Sequence, residues 1–212
     1  MSTALLQTTY FGPVQWYQKL YRYKNIRIEQ YDSYQKQTYR NRCVIATANG
    51  VQTLTVPVEV KGGESNSDKC MVKDVRISDH NQWRRVHWNA LLAAYSESPF
   101  FEYYADDIRP FFEKKYNFLV DFNEVIRQKI CELIDIHPKV TYTENFLAPL
   151  AAQSASLTSD YRTVIDAKHP QPDATFAVKP YWQVFQHKHG FQPNLSILDL
   201  LFCMGPESIF YL

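Results

Sequence analysis

The sequence predicts an α/β fold with a short, mainly parallel sheet, flanking helices and an attached β-hairpin. Residues 3–7 (TALLQ) form a short apolar run, which a Gly-Pro turn, a helical pattern and the alternating residues 25–30 follow. A strand, a helix and a second strand in so few residues indicate a βαβ unit, and such units build parallel sheets. The Asn-Gly pair at residues 49–50 lies between two alternating runs, and this is a strong signal for a hairpin.

The remaining elements follow from apolar periodicity and from prolines that interrupt it. Pro13 opens the first helix, because proline is favoured in the first helical turn. Pro99 and Pro138 each end a helical stretch. The further predicted elements are the hairpin at residues 42–58, a flexible surface loop at 61–69, a strand at 72–77, a helix from about residue 81, helices at 100–116 and 119–136, a returning strand at 139–143, a strand or short helix at 181–187, and a helix at 195–202.

A single domain spans residues 1–212, with an irregular excursion at residues 144–180. This stretch contains four prolines and many small or polar residues, so regular structure is not expected there. A connection of this length is often a lid over a functional site. We expect it to cover part of a ligand cleft with Tyr161 or Arg162 pointing inward; the alternative is a surface strap that only joins two helical parts.

Composition excludes several classes of protein. Of the 212 residues, 45% are hydrophobic and 21% are charged, which is typical of a globular chain. The net charge of +1 provides no overall field that would attract nucleic acid or a membrane surface. The four cysteines are scattered without a CxxC pair, so we predict free thiols, no metal site and no cofactor. The first residues lack a signal peptide and no apolar run approaches a membrane span, so a cytoplasmic protein is predicted.

Residues 31–58 carry the main candidate for ligand binding. Lys36, Asn41 and Arg42 precede a plain hairpin, together with several amides and tyrosines that folding alone does not require. Arginine binds phosphate or carboxylate with two hydrogen bonds, lysine adds a point charge, and asparagine orients a hydroxyl or an amide. The alternative is an edge strand protected by charge. Arg40 fits that alternative, since it is out of phase with Lys36 and Arg42.

Gln7 and Tyr10 form a second candidate at the junction between the first strand and the first helix. Ligands of open α/β sheets bind at the carboxyl ends of strands, and a helix N-terminus there offers free N–H groups. Both residues are therefore predicted to orient the substrate. The alternative is that Tyr10 only packs and that Gln7 only closes a turn.

His87 and Asp199 are the candidate catalytic residues. His87 lies in an aromatic helix, where a histidine is an acid or base candidate or, alternatively, a hydrogen-bonded structural residue. Asp199 lies in an apolar helix, and a buried carboxylate needs a partner. It pairs with Arg42 or Lys36 in one interpretation; in the other it caps another helix or accepts backbone hydrogen bonds.

Four parts of the chain carry a family resemblance: LLQTTYFGPVQWYQKL, YQKQTYRNRCVI with LTVPV, HWNALLAAYSESPFFEYY and GFQPNLSILDLLFCMGPE. Together they resemble the WbqC-like family of bacterial proteins. Gln7-Thr8-Thr9-Tyr10 stands where the family typically shows Gln-Pro-x-Tyr, so the first proline is absent. The resemblance covers essentially the whole chain and implies a link to O-antigen and other surface-polysaccharide gene clusters and to sugar-modifying pathways.

The function expected from the residues and the resemblance is group transfer, by an acyl, aminoacyl or other transferase, on a polar anionic or sugar ligand such as a nucleotide sugar. The alternative is a non-catalytic binding or assembly protein of polysaccharide synthesis, with the aromatic stretches at residues 8–17 and 98–104 as partner surfaces. Both alternatives remain open at this point, as does a homo-oligomeric state.

Overall fold

The structure is a computed structural model that describes residues 2–59, 70–148 and 158–212. The surface loop predicted at residues 61–69 and part of the predicted excursion lie outside the described residues. None of the helices in the described part of the chain combines the length and the apolar character that a membrane span requires.

Short strands and helices alternate along the chain. The strands are β1 (Thr3–Gln7), β2 (Asn25–Glu29), β3 (Arg42–Thr47), β4 (Gly50–Thr55), β5 (Val58–Glu59), β6 (Arg76–Ile77), β7 (Val140–Tyr142) and β8 (Thr158–Asp160). The helices are α1 (Val14–Arg22), α2 (Trp83–Tyr95), α3 (Phe101–Ile108), α4 (Leu119–Leu133), α5 (Gln186–His189) and α6 (Ile197–Met204).

A four-stranded sheet in the order β7-β2-β1-β8 has every neighbouring pair of strands parallel. Helix α1 connects β1 to β2, so the predicted βαβ unit and the α/β fold are confirmed. Strand β8 lies inside the excursion that was predicted to be irregular. Its residues Thr-Ser-Asp carry no apolar signal, and it becomes a strand by pairing with residues 3–5 of the buried strand β1.

The hairpin is confirmed, with Arg42 opposite Thr55 and Thr47 opposite Gly50. Gly50 has a φ of 106°, which suits glycine in a tight turn. The β3–β4 ladder is separate from the parallel sheet. The hairpin is therefore attached to the fold by packing against α2 and α6 rather than by extending the parallel sheet.

The strand predicted at residues 72–77 is a 3₁₀ turn (Val72–Asp74) followed by the short strand β6. The backbone N–H groups of Val72 and Lys73 donate to the carbonyls of Asp32 and Gln30, each at 3.0 Å. These hydrogen bonds tie the segment to the loop after β2, so only its end remains free to pair as a strand.

Aromatic side chains fill the space between the sheet and the helices. Tyr10 and Phe11 are fully buried, and the ring of Phe11 stacks on that of Phe112 with centroids 6.1 Å apart. The first aromatic stretch is thus core, which corrects its interpretation as a partner surface, because rings of this size contribute most to stability when buried. In the second stretch Phe101 is also buried, while Tyr103 is 75% exposed.

Candidate functional site

Polar side chains from all four parallel strands meet at the carboxyl edge of the sheet. Gln7 ends β1, Glu29 ends β2, Thr143 follows β7, and Asp160 ends β8 just before Arg162. The amide nitrogen of Gln7 donates a hydrogen bond to the backbone carbonyl of Arg162. This edge is where open α/β sheets place their ligands.

Arg162 is the centre of a buried ion network at this edge. Its guanidinium lies 2.6 Å from Asp160 and 3.3 Å from Glu29, and it also donates to the Leu147 carbonyl at 2.6 Å. Glu29, only 2% exposed, further accepts hydrogen bonds from the Thr143 hydroxyl and the Leu147 N–H. Burial lowers the pKa of Arg162, but the hydrogen bonds to Asp160 outweigh it and raise the pKa. The guanidinium therefore stays charged and fixed.

The loop after β2 adds a second buried cation. Arg40 is 1% exposed and donates to the carboxylate of Asp32 at 3.1 Å. The carbonyl of Tyr39 accepts a hydrogen bond from the backbone N–H of Tyr10 at 2.9 Å, which anchors the loop beside the turn after β1. The assignment of Arg40 as a protective edge charge was wrong, because β3 begins only at Arg42 and strand phase does not apply to a loop residue.

Lys36, Asn41 and Arg42 lie along the same loop and at the start of the hairpin. Lys36 is exposed and Arg42 is half-buried. Asn41 is buried, and its amide nitrogen donates to the Val56 carbonyl at 2.8 Å. The amide oxygen of Asn41 and the Nε of Arg42 have no hydrogen-bond partner among the described residues. Both atoms are buried, and their hydrogen-bonding capacity is unused by the described residues.

Tyr10 and His87, predicted from separate motifs, contact each other. The Tyr10 hydroxyl and the His87 Nδ1 are 2.9 Å apart, and the tautomer of the imidazole decides which of the two atoms donates. The backbone carbonyl of Thr55 lies close enough to the imidazole to favour its protonated form. Burial lowers the pKa of His87 to about 4, with the Thr55 contact acting in the opposite direction. The imidazole is therefore neutral at pH 7.

We expect His87 to make folding depend on pH. A histidine with a lowered pKa stabilises the fold fully above its unfolded pKa of about 6.5 and loses this contribution as pH falls towards about 4, because only the unfolded chain takes up the proton. The free energy of unfolding of the wild type, relative to His87→Gln, should fall by about 3 kcal/mol between these pH values. Urea denaturation across this range measures it. His137 is exposed, so His137→Gln should leave the change of unfolding free energy with pH as it is in the wild type. If this free energy changes with pH equally in the wild type and in His87→Gln, His87 is not the group responsible.

Asp199 lies in the first turn of α6 and is fully buried. Its carboxylate accepts hydrogen bonds from the hydroxyls of Tyr95 at 2.8 Å and Tyr181 at 2.7 Å, and from the amide of Gln183 at 2.9 Å. Burial raises the pKa of Asp199 and the three donors oppose the rise. Within the described residues Asp199 is therefore satisfied by neutral donors, rather than by the cations that one interpretation offered.

The chain after β8 crosses the polar side of α1. The buried Lys19 lies 2.6 Å from the carboxylate of Asp173 and 2.6 Å from the Thr175 hydroxyl, and its ammonium is 4.5 Å from the centre of the Tyr161 ring. Burial raises the pKa of Asp173, but hydrogen bonds from Lys19, Thr175 and Gln15 outweigh it and lower the pKa to about 2. This part of the excursion is thus held by an ion pair, with Tyr161 buried; its role as a lid stays a prediction.

Sequence reasoning assigned no site role to several of the charged residues at the sheet edge. Glu29 gave no signal, because a single carboxylate at a strand end is common and its partner Arg162 is more than a hundred residues away. Asp160 gave only the signal of the Asp-Tyr-Arg group to which it belongs. Arg162 gave a partial signal as part of the Asp-Tyr-Arg group inside the excursion. A search for charged residues at the ends of predicted strands could have found Glu29, but not Asp160 or Arg162, because β8 was not predicted.

Comparison with known proteins gives one family and one relative. The model of the WbqC-like protein family matches residues 7–211. The chain is 30% identical over 199 residues to the uncharacterised protein Rv1507c of Mycobacterium tuberculosis strain H37Rv, covering 84% of this chain and 83% of the relative. No solved structure matches the chain significantly.

Proposed function

The chain belongs to the WbqC-like protein family, and on that premise we propose that it is a group-transfer enzyme of bacterial surface-polysaccharide or sugar-modification pathways. Its substrate is a polar anionic molecule such as a nucleotide sugar. The substrate binds at the carboxyl edge of the parallel sheet, against the loop that follows β2.

The observation that carries this proposal is the collection of cations at that edge and along the loop that leads from β2 to the hairpin. Arg40 and Arg162 are buried and held by carboxylates. Lys36 and Arg42 form no ion pair with any described residue. A guanidinium without an ion pair to a described residue is suited to a phosphate, which accepts two parallel hydrogen bonds. The fixed pairs thus support the loop, while Lys36 and Arg42 bind the substrate.

The remaining predicted residues orient the substrate. The free amide oxygen of Asn41 accepts a hydrogen bond from a substrate hydroxyl. Tyr10 holds the turn after β1 against the loop, and Gln7 holds the end of β1 against the carbonyl of Arg162. His87 is buried and its Nδ1 contacts the hydroxyl of Tyr10, so it acts as a base through that hydroxyl. The catalytic role of Asp199 stays a prediction.

The burial of His87 and Asp199 also supports the second candidate function, a non-catalytic binding or assembly protein. His87 and Asp199 are buried. His87 contacts the Tyr10 hydroxyl, and Asp199 accepts hydrogen bonds from Tyr95, Tyr181 and Gln183. Such residues serve stability more often than catalysis. Product analysis with a bound nucleotide sugar and amine or hydroxyl acceptors separates the two functions, since only the enzyme turns the ligand over.

We expect Arg42→Ala to weaken binding of UDP-glucose and glucose 1-phosphate by about ten-fold to a hundred-fold, because a charge-assisted contact contributes roughly 1.5–3 kcal/mol. Isothermal titration calorimetry measures the loss. The variant should remain folded, since Arg42 is half-buried and forms no ion pair with a described residue.

Two control variants sharpen this experiment. Lys24→Ala removes one positive charge directly before β2, at the amino edge of the sheet, and should leave both affinities unchanged. Arg42→Lys keeps the charge without the planar guanidinium and should lose part of the affinity. Unchanged binding in Arg42→Ala, together with a lowered melting temperature, contradicts a role for Arg42 in binding and makes it structural.

A further inference from the structure

A pocket of about 320 Å³ lies between α2 and the 3₁₀ turn Arg109–Phe112. It shares no residue with the sheet edge. Its rim includes Gln82. Asn81 and Gln82 are consecutive left-handed residues, with φ values of 61° and 48°, and residues other than glycine rarely adopt this backbone conformation. The lining used in the argument below is Gln82, Arg84, Arg85, Trp88, Arg109 and Phe112.

An indole and a phenyl ring form the apolar part of this arginine pocket. Trp88 is half-buried, and its ring centroid lies 5.9 Å from that of Phe101 and 5.8 Å from that of Phe112. These contacts on α3 and on the 3₁₀ turn hold the indole in one orientation. A fixed aromatic face suits stacking by a planar ring.

Three guanidinium groups surround the aromatic face. Asp79 holds Arg84 at 2.5 Å, and Glu113 holds Arg109 at 2.7 Å. Arg85 is exposed and has no ion-pair partner among the described residues. Positive charge therefore exceeds negative charge at the rim, which favours an anion with several acceptor oxygens.

We propose that the arginine pocket binds the nucleoside phosphate part of the substrate, with the ring against Trp88 and the phosphate oxygens against Arg85 and Arg109. Ligand pockets span roughly 300–1,000 Å³. A volume of about 320 Å³ admits a base and a neighbouring group, so the rest of the ligand extends outside the pocket.

This inference rests on the proposed function, and both sites adjoin α2. Arg42 lies opposite Thr55 in the hairpin, and the Thr55 carbonyl is near the imidazole of His87. His87 lies three residues after Arg84 on α2. The start of the hairpin and the arginine pocket are therefore neighbours of the same helix.

Calorimetry with uridine 5′-diphosphate (UDP), inorganic pyrophosphate and uridine tests the arginine pocket. We expect the wild type to bind UDP more tightly than either fragment. The double variant Arg85→Ala/Arg109→Ala should weaken UDP binding by about ten-fold or more. The matched control Lys24→Ala/Lys139→Ala removes the same charge from two exposed positions near the amino edge of the sheet and should bind UDP as the wild type does.

The contrary outcomes are equally distinct. Three results would each overturn the proposed role of the arginine pocket: no binding of UDP to the wild type, equal affinity of the wild type for UDP and pyrophosphate, or equal losses of UDP affinity in the two double variants. Arg42→Ala separates this inference from the proposed function with glucose 1-phosphate. If Arg42→Ala weakens glucose 1-phosphate binding while Arg85→Ala/Arg109→Ala leaves UDP binding unchanged, the sheet-edge site is supported and the arginine pocket is rejected. The opposite result supports the arginine pocket and rejects the sheet-edge site.

Discussion

Replacing Arg162 by alanine is expected to lower the free energy of unfolding by about 3–5 kcal/mol, because removal of one partner leaves buried charges uncompensated. The side chain of Glu29 is 1% exposed, and Arg162 is the cation that contacts it at 3.3 Å. Asp160 loses its contact at 2.6 Å in the same variant. Urea denaturation followed by circular dichroism measures the loss.

The control for this experiment is Arg109→Ala. Arg109 also pairs with a carboxylate, that of Glu113, but both side chains are more than half exposed. An exposed ion pair contributes only about 0–1 kcal/mol. If Arg162→Ala costs no more than Arg109→Ala, the sheet-edge network does not stabilise the fold, and a purely functional role for Arg162 is favoured.

Replacing Lys19 by alanine is the second large effect, again expected at about 3–5 kcal/mol. The side chains of Lys19 and Asp173 are 0% and 4% exposed, and their charged atoms are 2.6 Å apart. The variant leaves the Asp173 carboxylate buried without its cation. We also expect faster proteolysis of the chain between Arg162 and Pro180, since the ion pair holds this segment against α1.

A double variant separates the charge effect from loss of packing. Lys19→Met/Asp173→Asn removes both charges and keeps similar side-chain volumes, so it should recover a large part of the stability that Lys19→Ala loses. Equal proteolysis of the wild type and Lys19→Ala contradicts the anchoring role. Protection of the same segment by added ligand, at a confirmed binding concentration, supports its predicted role as a lid.

The fold could be predicted where the pattern of a short segment determines which strands pair. The apolar run of β1, the Pro-led helix α1 and the alternation in β2 together predict a parallel pair, and Asn-Gly predicts the hairpin. Strand β8 was not predictable, since its three polar residues form a strand only because the edge of β1 offers hydrogen bonds. The turn at Val72 was missed because its partners are carbonyls of a distant loop.

The positions of several candidate residues in the fold could be predicted, but their contacts could not. Gln7 and Tyr10 do lie at the turn after β1, and Arg42 does begin the hairpin. The sequence contains no sign that Tyr10 contacts His87, or that Arg162 contacts Glu29, because each pair is separated by many residues. Arg40 was misassigned since its burial depends on the path of a whole loop and not on strand phase.

A crystal structure of the wild type with UDP-glucose tests the central claim most directly. The account predicts that the phosphate next to the sugar lies within hydrogen-bonding distance of Arg42 or Lys36, with the sugar near Asn41 at the carboxyl edge of the sheet. A ligand whose sugar and phosphates contact none of these three residues, under conditions where calorimetry shows saturation, would contradict it.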